Sequence, residues 1–373
     1  MALNIISLSA LSLPFFAGQV LSQSQQIIIP PVPYLGDADT QWISGPSGFD
    51  APKNRHINWT AYDWWYFDFV QELSGSGDQA SIAITFYTTG TDGFDALQEA
   101  FPLYPSTNLI TADVTWPNGT LESFLFVAGE ATFTIDGDGA SANYSGTNSW
   151  FEGAPDLSQY TVELNSPEKG ITGSLVINSD APAHYPCGPN EEGQNIQLVP
   201  GAGWFNAIPD GDAEANFEIH GHEFNFRGRG YHDHNYGGQS FSDSFLASYW
   251  GHGRLGDYIV VWVDALAVGG TNHLSAYVVK DGEILTAQCE SIRVRPYGDN
   301  STYPPTTTSG SPTGYDIQIT IPEGKLELKA EYTYVTASHR VYHRYTGSLT
   351  GTFNGEALPD GVALWEQFTL QEE

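Results

Sequence analysis

The chain has 373 residues, of which 44 are acidic and 13 are basic, so its formal net charge is −31. Because phosphate groups are bound by clustered lysines and arginines, this charge argues against nucleic acid and anionic membrane surfaces as partners. Hydrophobic residues make up 40% of the chain and aromatic residues 13%, which excludes an intrinsically disordered protein. The length predicts two domains rather than one.

The N-terminal residues 1–22 carry no charged side chain and contain an apolar stretch from Leu3 to Phe16. This pattern predicts a secretory signal peptide, and so a protein of the secretory pathway: the endoplasmic reticulum lumen, a vesicle or the extracellular space. The stretch is too short and too interrupted for a membrane anchor, so no stable membrane insertion is expected. Four Asn-x-Ser/Thr motifs predict N-glycosylation at Asn58, Asn118, Asn143 and Asn300.

The rest of the chain predicts an all-β fold, because short runs alternate between polar and apolar residues. These runs lie at residues 80–88, 121–126, 131–135, 161–164, 171–176, 215–226, 258–263, 275–279, 317–321, 326–335 and 347–353. With 40 glycines and 22 prolines, long helices have little room. Short helices are expected only at residues 93–101 and 362–368.

A segment rich in proline, glycine and polar residues, 181–203, predicts the boundary between two β domains at residues 23–190 and 200–373. Residues 299–314 are rich in proline, threonine and serine and predict a surface insertion. The two cysteines, Cys187 and Cys289, either form one disulfide that joins the halves or remain free buried thiols.

An aromatic motif spans residues 62–69. On a strand, Asp63, Trp65 and Phe67 point to one face, and Trp64, Tyr66 and Asp68 point to the other. One interpretation is a core strand whose tryptophan and tyrosine polar groups are satisfied. The other is an aromatic wall for an apolar, unsaturated ligand.

A glycine-flanked motif spans residues 228–238 and concentrates side chains that donate or accept protons. If Tyr231 and Asp233 share one face of a strand, His232 and His234 share the other. A carboxyl group beside aromatic rings in a dry pocket has a raised pKa, which makes Asp233 a candidate general acid. The alternative is a buried network that ties a turn to the sheet.

Histidine pairs with a spacing of two, at His220/His222 and His232/His234, would suit metal ligands on one strand face. No second motif and no nearby cysteine pair completes such a site, so no metal is predicted. The chain also lacks a P-loop, a dinucleotide fingerprint and a Gly-x-Ser-x-Gly elbow, so no cofactor is expected. The many acidic residues leave a secreted carbohydrate-active protein as a rival.

Three motifs together resemble the superfamily of carotenoid 1,2-hydratases (hydroxyneurosporene synthases) and AttH-like proteins. They are residues 64–68 (WWYFD), 204–209 (WFNAIP) and 230–237 (GYHDHNYG). The resemblance implies two tandem lipocalin-like β domains. By analogy with the hydratases it implies that Asp233 is the acid, with Tyr231 beside it. Among the polar donors of the same motif, His232 is a further candidate catalytic residue.

Similar fungal proteins include Diels–Alderases of secondary metabolism, and a full Gly-Tyr-x-Asp-x-Asn element with a signal peptide favours the branch of intermolecular hetero-Diels–Alderases. The resemblance therefore implies a cofactor-independent pericyclase that joins a tropolone- or polyketide-derived quinone methide to a humulene-like terpene. The alternatives are an isoprenoid hydratase, dehydratase or cyclase using Asp233, and a non-catalytic carrier of apolar ligands.

The predicted partners are small hydrophobic polyketide and terpenoid substrates, and the sequence assigns no oligomeric state. The predicted substrate-binding residues are Trp64, Trp65, Tyr66, Asp68, Trp204, Asn206, His234, Asn235, Tyr249, Trp250 and His252.

Overall fold

The computed structural model describes residues 24–46, 48–73, 78–100 and 105–371. The predicted signal peptide lies outside these residues. The described chain is almost entirely β-structure, as the alternating sequence pattern predicted, and it folds into two curled antiparallel sheets.

The elements up to residue 199 belong to the first sheet or its connections. They are β1 (Gln25–Ile29), β2 (Tyr62–Gln71), β3 (Ser81–Thr89), α1 (Asp95–Ala100), β4 (Asn108–Thr115), β5 (Leu121–Val127), β6 (Ala131–Asp136), β7 (Gly139–Tyr144), β8 (Ser149–Gly153), β9 (Gln159–Ser166), a 3-10 turn (Pro167–Lys169), β10 (Ile171–Ser179), β11 (His184–Tyr185), β12 (Gly188–Pro189) and β13 (Gln197–Val199).

The remaining elements complete the first sheet and form the second. They are β14 (Ala202–Ile219), β15 (His222–Gly237), α2 (Phe241–Ser244), β16 (Phe245–Leu255), β17 (Tyr258–Ala267), β18 (Asn272–Lys280), β19 (Glu283–Gln288), β20 (Ile292–Tyr297), β21 (Gly314–Ile321), β22 (Gly324–Ser338), β23 (Tyr342–Phe353), β24 (Glu356–Ala357) and β25 (Gly361–Thr369).

The first sheet has the order β1-β6-β7-β8-β9-β10-β14-β15-β2-β3-β4-β5, with β11, β12 and β13 attached beside β14. The second has the order β19-β18-β17-β16-β25-β23-β22-β21-β20, with β24 beside β23. Strand β15 therefore pairs with β2 at the centre of the first sheet, and this pairing brings the two sequence motifs side by side.

Three clusters of buried apolar side chains follow from this arrangement. One lies within the first sheet and includes Trp65, Phe67 and Phe205. Another lies within the second sheet and includes Trp262 and Trp365. The third is shared by side chains of both sheets and so joins them. The alternation of side chains along a strand explains how one strand contributes to two clusters.

Two predicted elements differ in the structure. Residues 362–368 are not a helix but part of β25, which lies between β16 and β23 and is buried on both faces. A strand buried on both faces is apolar at most positions, here all of residues 362–368 except Glu366 and Gln367, and so it loses the alternating pattern. Residues 215–226 are a hairpin rather than one strand, because His220 and Gly221 both adopt positive φ angles, 51° and 81°, in a two-residue turn.

The predicted boundary at residues 181–203 does not coincide with the division between the sheets. Strands β14 and β15 follow that segment but belong to the first sheet, and the second sheet begins with β16. Residues 299–314 connect β20 to β21 as the predicted surface insertion, and a short helix is present at α1.

Cys187 and Cys289 form a disulfide, with a Cα–Cα distance of 4.9 Å. This confirms the first of the two interpretations of the cysteines. The bond ties the segment between β11 and β12 to the turn that follows β19, and so links the two sheets covalently.

Among the predicted glycosylation sites, Asn118, Asn143 and Asn300 are exposed and Asn58 is half-buried. Glycosylation stays a prediction. Within the described ranges, no helix is long and apolar enough to cross a lipid bilayer.

Candidate active site

The two central motifs present one common face toward the second sheet. In the antiparallel register of β15 and β2, Tyr231 lies opposite Asp68 and Asp233 opposite Tyr66. Trp64 and Tyr66 belong to the apolar cluster between the sheets, whereas Trp65 belongs to the cluster inside the first sheet. The division of the aromatic strand into two faces, predicted from alternation, is therefore confirmed.

A cavity of about 270 Å³ lies between the sheets. Ten of its 24 lining residues are tryptophan, tyrosine or phenylalanine, and ten are polar or charged. Both sheets supply them: Trp64, Tyr66, Thr85, Tyr87, Phe94, Ala96, Leu97, Thr111, Asp113, Ser123, Leu198, Trp204, Asp233, Asn235, Phe241, Phe245, Ser248, Trp250, Val263, His339, Tyr342, Arg344, Glu366 and Phe368. Six predicted residues thus share one cavity: Trp64, Tyr66, Trp204, Asp233, Asn235 and Trp250.

Asp233 is the polar centre of this cavity on the first sheet. Its Oδ2 accepts hydrogen bonds from the Trp204 indole (2.8 Å) and the Tyr231 hydroxyl (2.8 Å), and its Oδ1 accepts one from the Asn235 amide (2.8 Å). The side chain is only 3% exposed. Burial raises the pKa of Asp233 to about 8, although the bonds from Trp204 and Tyr231 oppose the rise. At neutral pH the residue is therefore mostly a protonated acid.

A chain of polar side chains continues from Asp233 away from the cavity. The Tyr231 hydroxyl contacts the Asn206 amide, and Asn206 contacts Nε2 of His184 (2.7 Å). Nδ1 of His184 faces the Tyr185 carbonyl (2.9 Å), and the imidazole stacks on Tyr277 of the second sheet with ring centroids 3.9 Å apart. Neither Asn206 nor Tyr231 lines the cavity. Asn206 holds the Tyr231 hydroxyl by a hydrogen bond.

The hydrogen bonds of this chain point toward Asp233. The Asn206 amide donates to the Tyr231 oxygen, and the Tyr231 hydroxyl donates to Oδ2 of Asp233. Burial lowers the pKa of His184 to about 4, so this imidazole is neutral at pH 7. The chain therefore holds Tyr231 in place, and the bond from Tyr231 lowers the pKa of Asp233 against the larger effect of burial.

A second polar pair supports Tyr231 from the side. Nε2 of His252 lies 2.9 Å from Oδ2 of Asp68, and the imidazole stacks on the Tyr231 ring with centroids 4.1 Å apart. Both residues are buried next to the cavity without lining it. They position the ring of Tyr231 rather than contact a bound molecule.

Three predicted site residues lie elsewhere. Trp65, His232 and His234 point into the first sheet, because they occupy the alternate positions of β2 and β15. His232 contacts Asp50 (3.1 Å), and His234 contacts both Asp50 (3.1 Å) and Asp63. The prediction that these residues contact substrate is corrected: the histidines hold a buried ionic network.

The electrostatics of that network follow from its charges. Burial favours a neutral Asp50, but His232 and His234 outweigh it and lower the pKa of Asp50 to about 2. Burial likewise disfavours a charged His234, yet Asp63 and Asp50 raise its pKa. A buried polar network was one of the two interpretations of residues 228–238. The structure has this network on one face of the motif and Asp233 on the other.

Tyr249 is also outside the cavity. It alternates with Trp250 on β16, so it points into the second sheet, where its hydroxyl donates to the Thr302 carbonyl (3.3 Å). Trp250 and His252 face the other way, toward the first sheet.

The second sheet contributes a polar wall to the cavity that was not predicted from the sequence. Nε of Arg344 donates to Oε1 of Glu366 (3.1 Å), its Nη1 donates to Asp113 of the first sheet (3.0 Å), and the Tyr342 hydroxyl donates to Glu366. Burial raises the pKa of Glu366, and Arg344 and Tyr342 oppose the rise. One signal of this wall was present in the sequence: Glu366 is a charged residue within the mostly apolar run 362–368.

The comparisons with known proteins agree with this architecture. Residues 39–322 match the model of the Diels-Alderase-like family. The chain is 31% identical over 340 residues to the quinolone epoxide rearrangement protein asqO of Emericella nidulans, covering 90% of this chain and 91% of asqO. It is 31% identical over 369 residues to the quinolone epoxide rearrangement protein penF of Penicillium thymicola, covering 96% and 98% of the two chains.

The crystal structure of CghA with Sch210972 superposes with a TM-score of 0.74 at 19% identity, covering 93% of this chain and 99% of that one. The chain therefore belongs to the Diels-Alderase-like family, and the predicted relationship to fungal Diels–Alderases and the lipocalin-like two-sheet fold are confirmed. The family supports the broader prediction of a fungal pericyclase-type enzyme. The hetero-Diels–Alder reaction and its substrates remain predictions.

Proposed function

We propose that this protein isomerises an epoxide attached to a flat aromatic substrate, with Asp233 as the general acid. The observation that carries the proposal is a buried carboxylic acid, protonated at neutral pH, in an aromatic cavity. An acid of this kind can transfer its proton to a substrate oxygen at the pH where it works. The similarity to two quinolone epoxide rearrangement proteins over nearly the whole chain supports the same chemistry.

The reaction balances within one substrate molecule. Asp233 transfers its proton to the epoxide oxygen as one C–O bond breaks, which leaves a hydroxyl group and a carbocation on the neighbouring carbon. A hydrogen or carbon substituent then migrates with its electron pair to that carbon, forming a protonated carbonyl group. The carbonyl oxygen returns its proton to the Asp233 carboxylate. Substrate and product therefore have the same mass.

The walls of the cavity suit the cationic intermediate. Trp64, Trp204 and Trp250 all line it, and the faces of aromatic rings attract cations. Aromatic rings packed around the carbocation also leave less room for the water that would trap it as a diol. Acid, aromatic walls and exclusion of water together favour rearrangement over hydrolysis.

The test is incubation of the purified protein with a quinolone whose side chain carries an epoxide, followed by chromatography and mass spectrometry. We expect a carbonyl product of unchanged mass. Asp233→Asn should reduce its rate by about 10²- to 10⁴-fold, the usual contribution of a general acid. Asp264→Asn is the matched control, because Asp264 is a buried acid outside the cavity, paired with Arg295. Equal rates for the wild type and Asp233→Asn would refute the proposal.

A hetero-Diels–Alder reaction between a quinone methide and a terpene is the second candidate, favoured by the family match over residues 39–322. There Asp233 would donate a hydrogen bond to the carbonyl of the electron-poor partner, and the cavity would hold both partners in a reactive pose. The two candidates differ in their products, since cycloaddition joins two molecules and adds their masses. A carrier would return its ligand unchanged.

A further inference from the structure

The cavity contains a second polar group, on the wall opposite Asp233, that the acid chemistry does not use. Arg344 and Glu366 are 6% and 9% exposed, and both line the cavity. Arg344 donates to Glu366 from Nε and to Asp113 from Nη1. In the part of the chain that the structure describes, neither Nη2 of Arg344 nor Oε2 of Glu366 has a hydrogen-bond partner. An N–H donor and a carboxylate acceptor therefore lie side by side.

Two further donors belong to residues that line the same cavity. The Tyr66 hydroxyl and the Trp250 indole nitrogen are buried, and neither finds a partner among the described residues. The Tyr66 ring lies 5.5 Å from the Arg344 guanidinium carbon and 5.8 Å from the Trp250 ring. Buried polar groups are rarely left without partners. Their position in the wall of one cavity indicates that a bound molecule supplies acceptors.

We propose that Arg344, Glu366, Tyr66 and Trp250 form a binding subsite for a cyclic amide, or lactam, ring of the substrate. The lactam carbonyl accepts from Arg344 and its neighbouring donors, and the lactam N–H donates to Glu366. This inference rests on the proposed function and identifies the part of the substrate that does not react. Tyr66 pairs with Asp233 across β2 and β15, so a ring held at this subsite places the epoxide-bearing arm close to the acid.

The charges around the subsite select a neutral ligand. Arg344 already pairs with two carboxyl groups, Asp113 and Glu366, so its positive charge is not free for an anionic ligand. A lactam is uncharged and offers one acceptor and one adjacent donor. The aromatic rings of Tyr66, Trp250 and Tyr342 complement a flat ring system.

The experiment measures binding without turnover, by equilibrium dialysis of the intact protein against four probes. These are 2-quinolone, N-methyl-2-quinolone, naphthalene and quinoline-2-carboxylate. We expect 2-quinolone to bind at least tenfold more tightly than the others, because only it offers both the carbonyl group and the N–H. A hydrogen bond to a charged group supports a difference of about this size. Since the comparison uses the wild-type protein, it does not depend on whether a variant folds.

Variants locate the effect. Arg344→Lys keeps the positive charge but loses the planar set of donors, and should weaken 2-quinolone binding about tenfold while naphthalene binding stays unchanged. Arg295→Lys, at an arginine–carboxylate pair of the second sheet outside the cavity, is the control and should change neither. Equal affinity for 2-quinolone and N-methyl-2-quinolone would overturn the subsite, as would preference for the carboxylate probe.

The subsite and the proposed function fail separately. Asp233→Asn should bind 2-quinolone normally while losing epoxide rearrangement. If the protein rearranges the epoxide in an Asp233-dependent manner but does not discriminate among the probes, the subsite is wrong and the function stands.

Discussion

Replacing Asp233 by asparagine should change the stability of the protein in opposite directions at low and high pH. Burial raises the pKa of this carboxyl group from 3.8 to about 8. The folded state therefore holds its proton over a pH range in which the unfolded chain releases it. Each pKa unit corresponds to about 1.4 kcal/mol, so the wild-type protein loses roughly 5 kcal/mol of unfolding free energy as the pH rises from below 4 to 8.

The asparagine variant does not experience this loss, but it has a cost of its own. Trp204 and Asn235 donate to the two different oxygens of Asp233, and an amide can accept only one of these bonds. One donor left without an acceptor costs about 1–3 kcal/mol at every pH. The variant should therefore be less stable than the wild type by about 1–3 kcal/mol at pH 4, and more stable by roughly 2–4 kcal/mol at pH 8.

Guanidinium denaturation followed by tryptophan fluorescence at pH 4, 6 and 8 measures this crossing. Asp316→Asn serves as the control, because Asp316 is exposed on β21 and its replacement should produce no crossing. A variant that is less stable than the wild type at all three pH values would contradict this prediction. It would show that burial does not destabilise the Asp233 carboxylate.

Three further outcomes follow from the same structure. Removing the disulfide with Cys187→Ser and Cys289→Ser should lower the unfolding free energy by about 2–4 kcal/mol, and adding a reductant should then have no further effect. Tyr231→Phe should move the alkaline fall of the rate to higher pH, because it removes a hydrogen bond that stabilises the Asp233 carboxylate; an unchanged pH–rate profile in a less stable protein would show a purely structural role. His232→Phe should destabilise the protein by about 3–5 kcal/mol by leaving the buried Asp50 without one of its two histidine partners, while kcat of the folded protein stays within a few-fold. A large fall in kcat at unchanged stability would make His232 catalytic after all.

Much of the fold was predictable because half-buried strands alternate. The opposite faces of Trp64 and Trp65 could be assigned from their positions alone, and the structure places them in different apolar clusters. The same rule failed for residues 362–368, which are buried on both sides as a central strand. Polar and apolar residues alternate when one face of a strand is exposed to water. A strand that is buried on both faces therefore shows no alternation.

The site was predictable only where its residues share a motif. Asp233 and Trp64 were identified because they lie in dense local patterns, but the residues of the second sheet that line the same cavity come from distant strands. Arg344 and Glu366 lie across the sheets from the motifs, and only the packing of the two sheets brings them into the cavity. His184 lies in the segment predicted as a boundary, where nothing local indicates its contact with Asn206.

The central claim is that Asp233 is a protonated acid at neutral pH, and infrared spectroscopy tests it directly. The difference spectrum between the wild type and Asp233→Asn, recorded across a pH titration, isolates the carboxyl band of this one residue. The structure predicts a protonated carboxyl band that persists at pH 7 and disappears as the pH rises through about 8. A carboxylate band already complete at pH 6 would contradict both the acid and the reaction proposed for it.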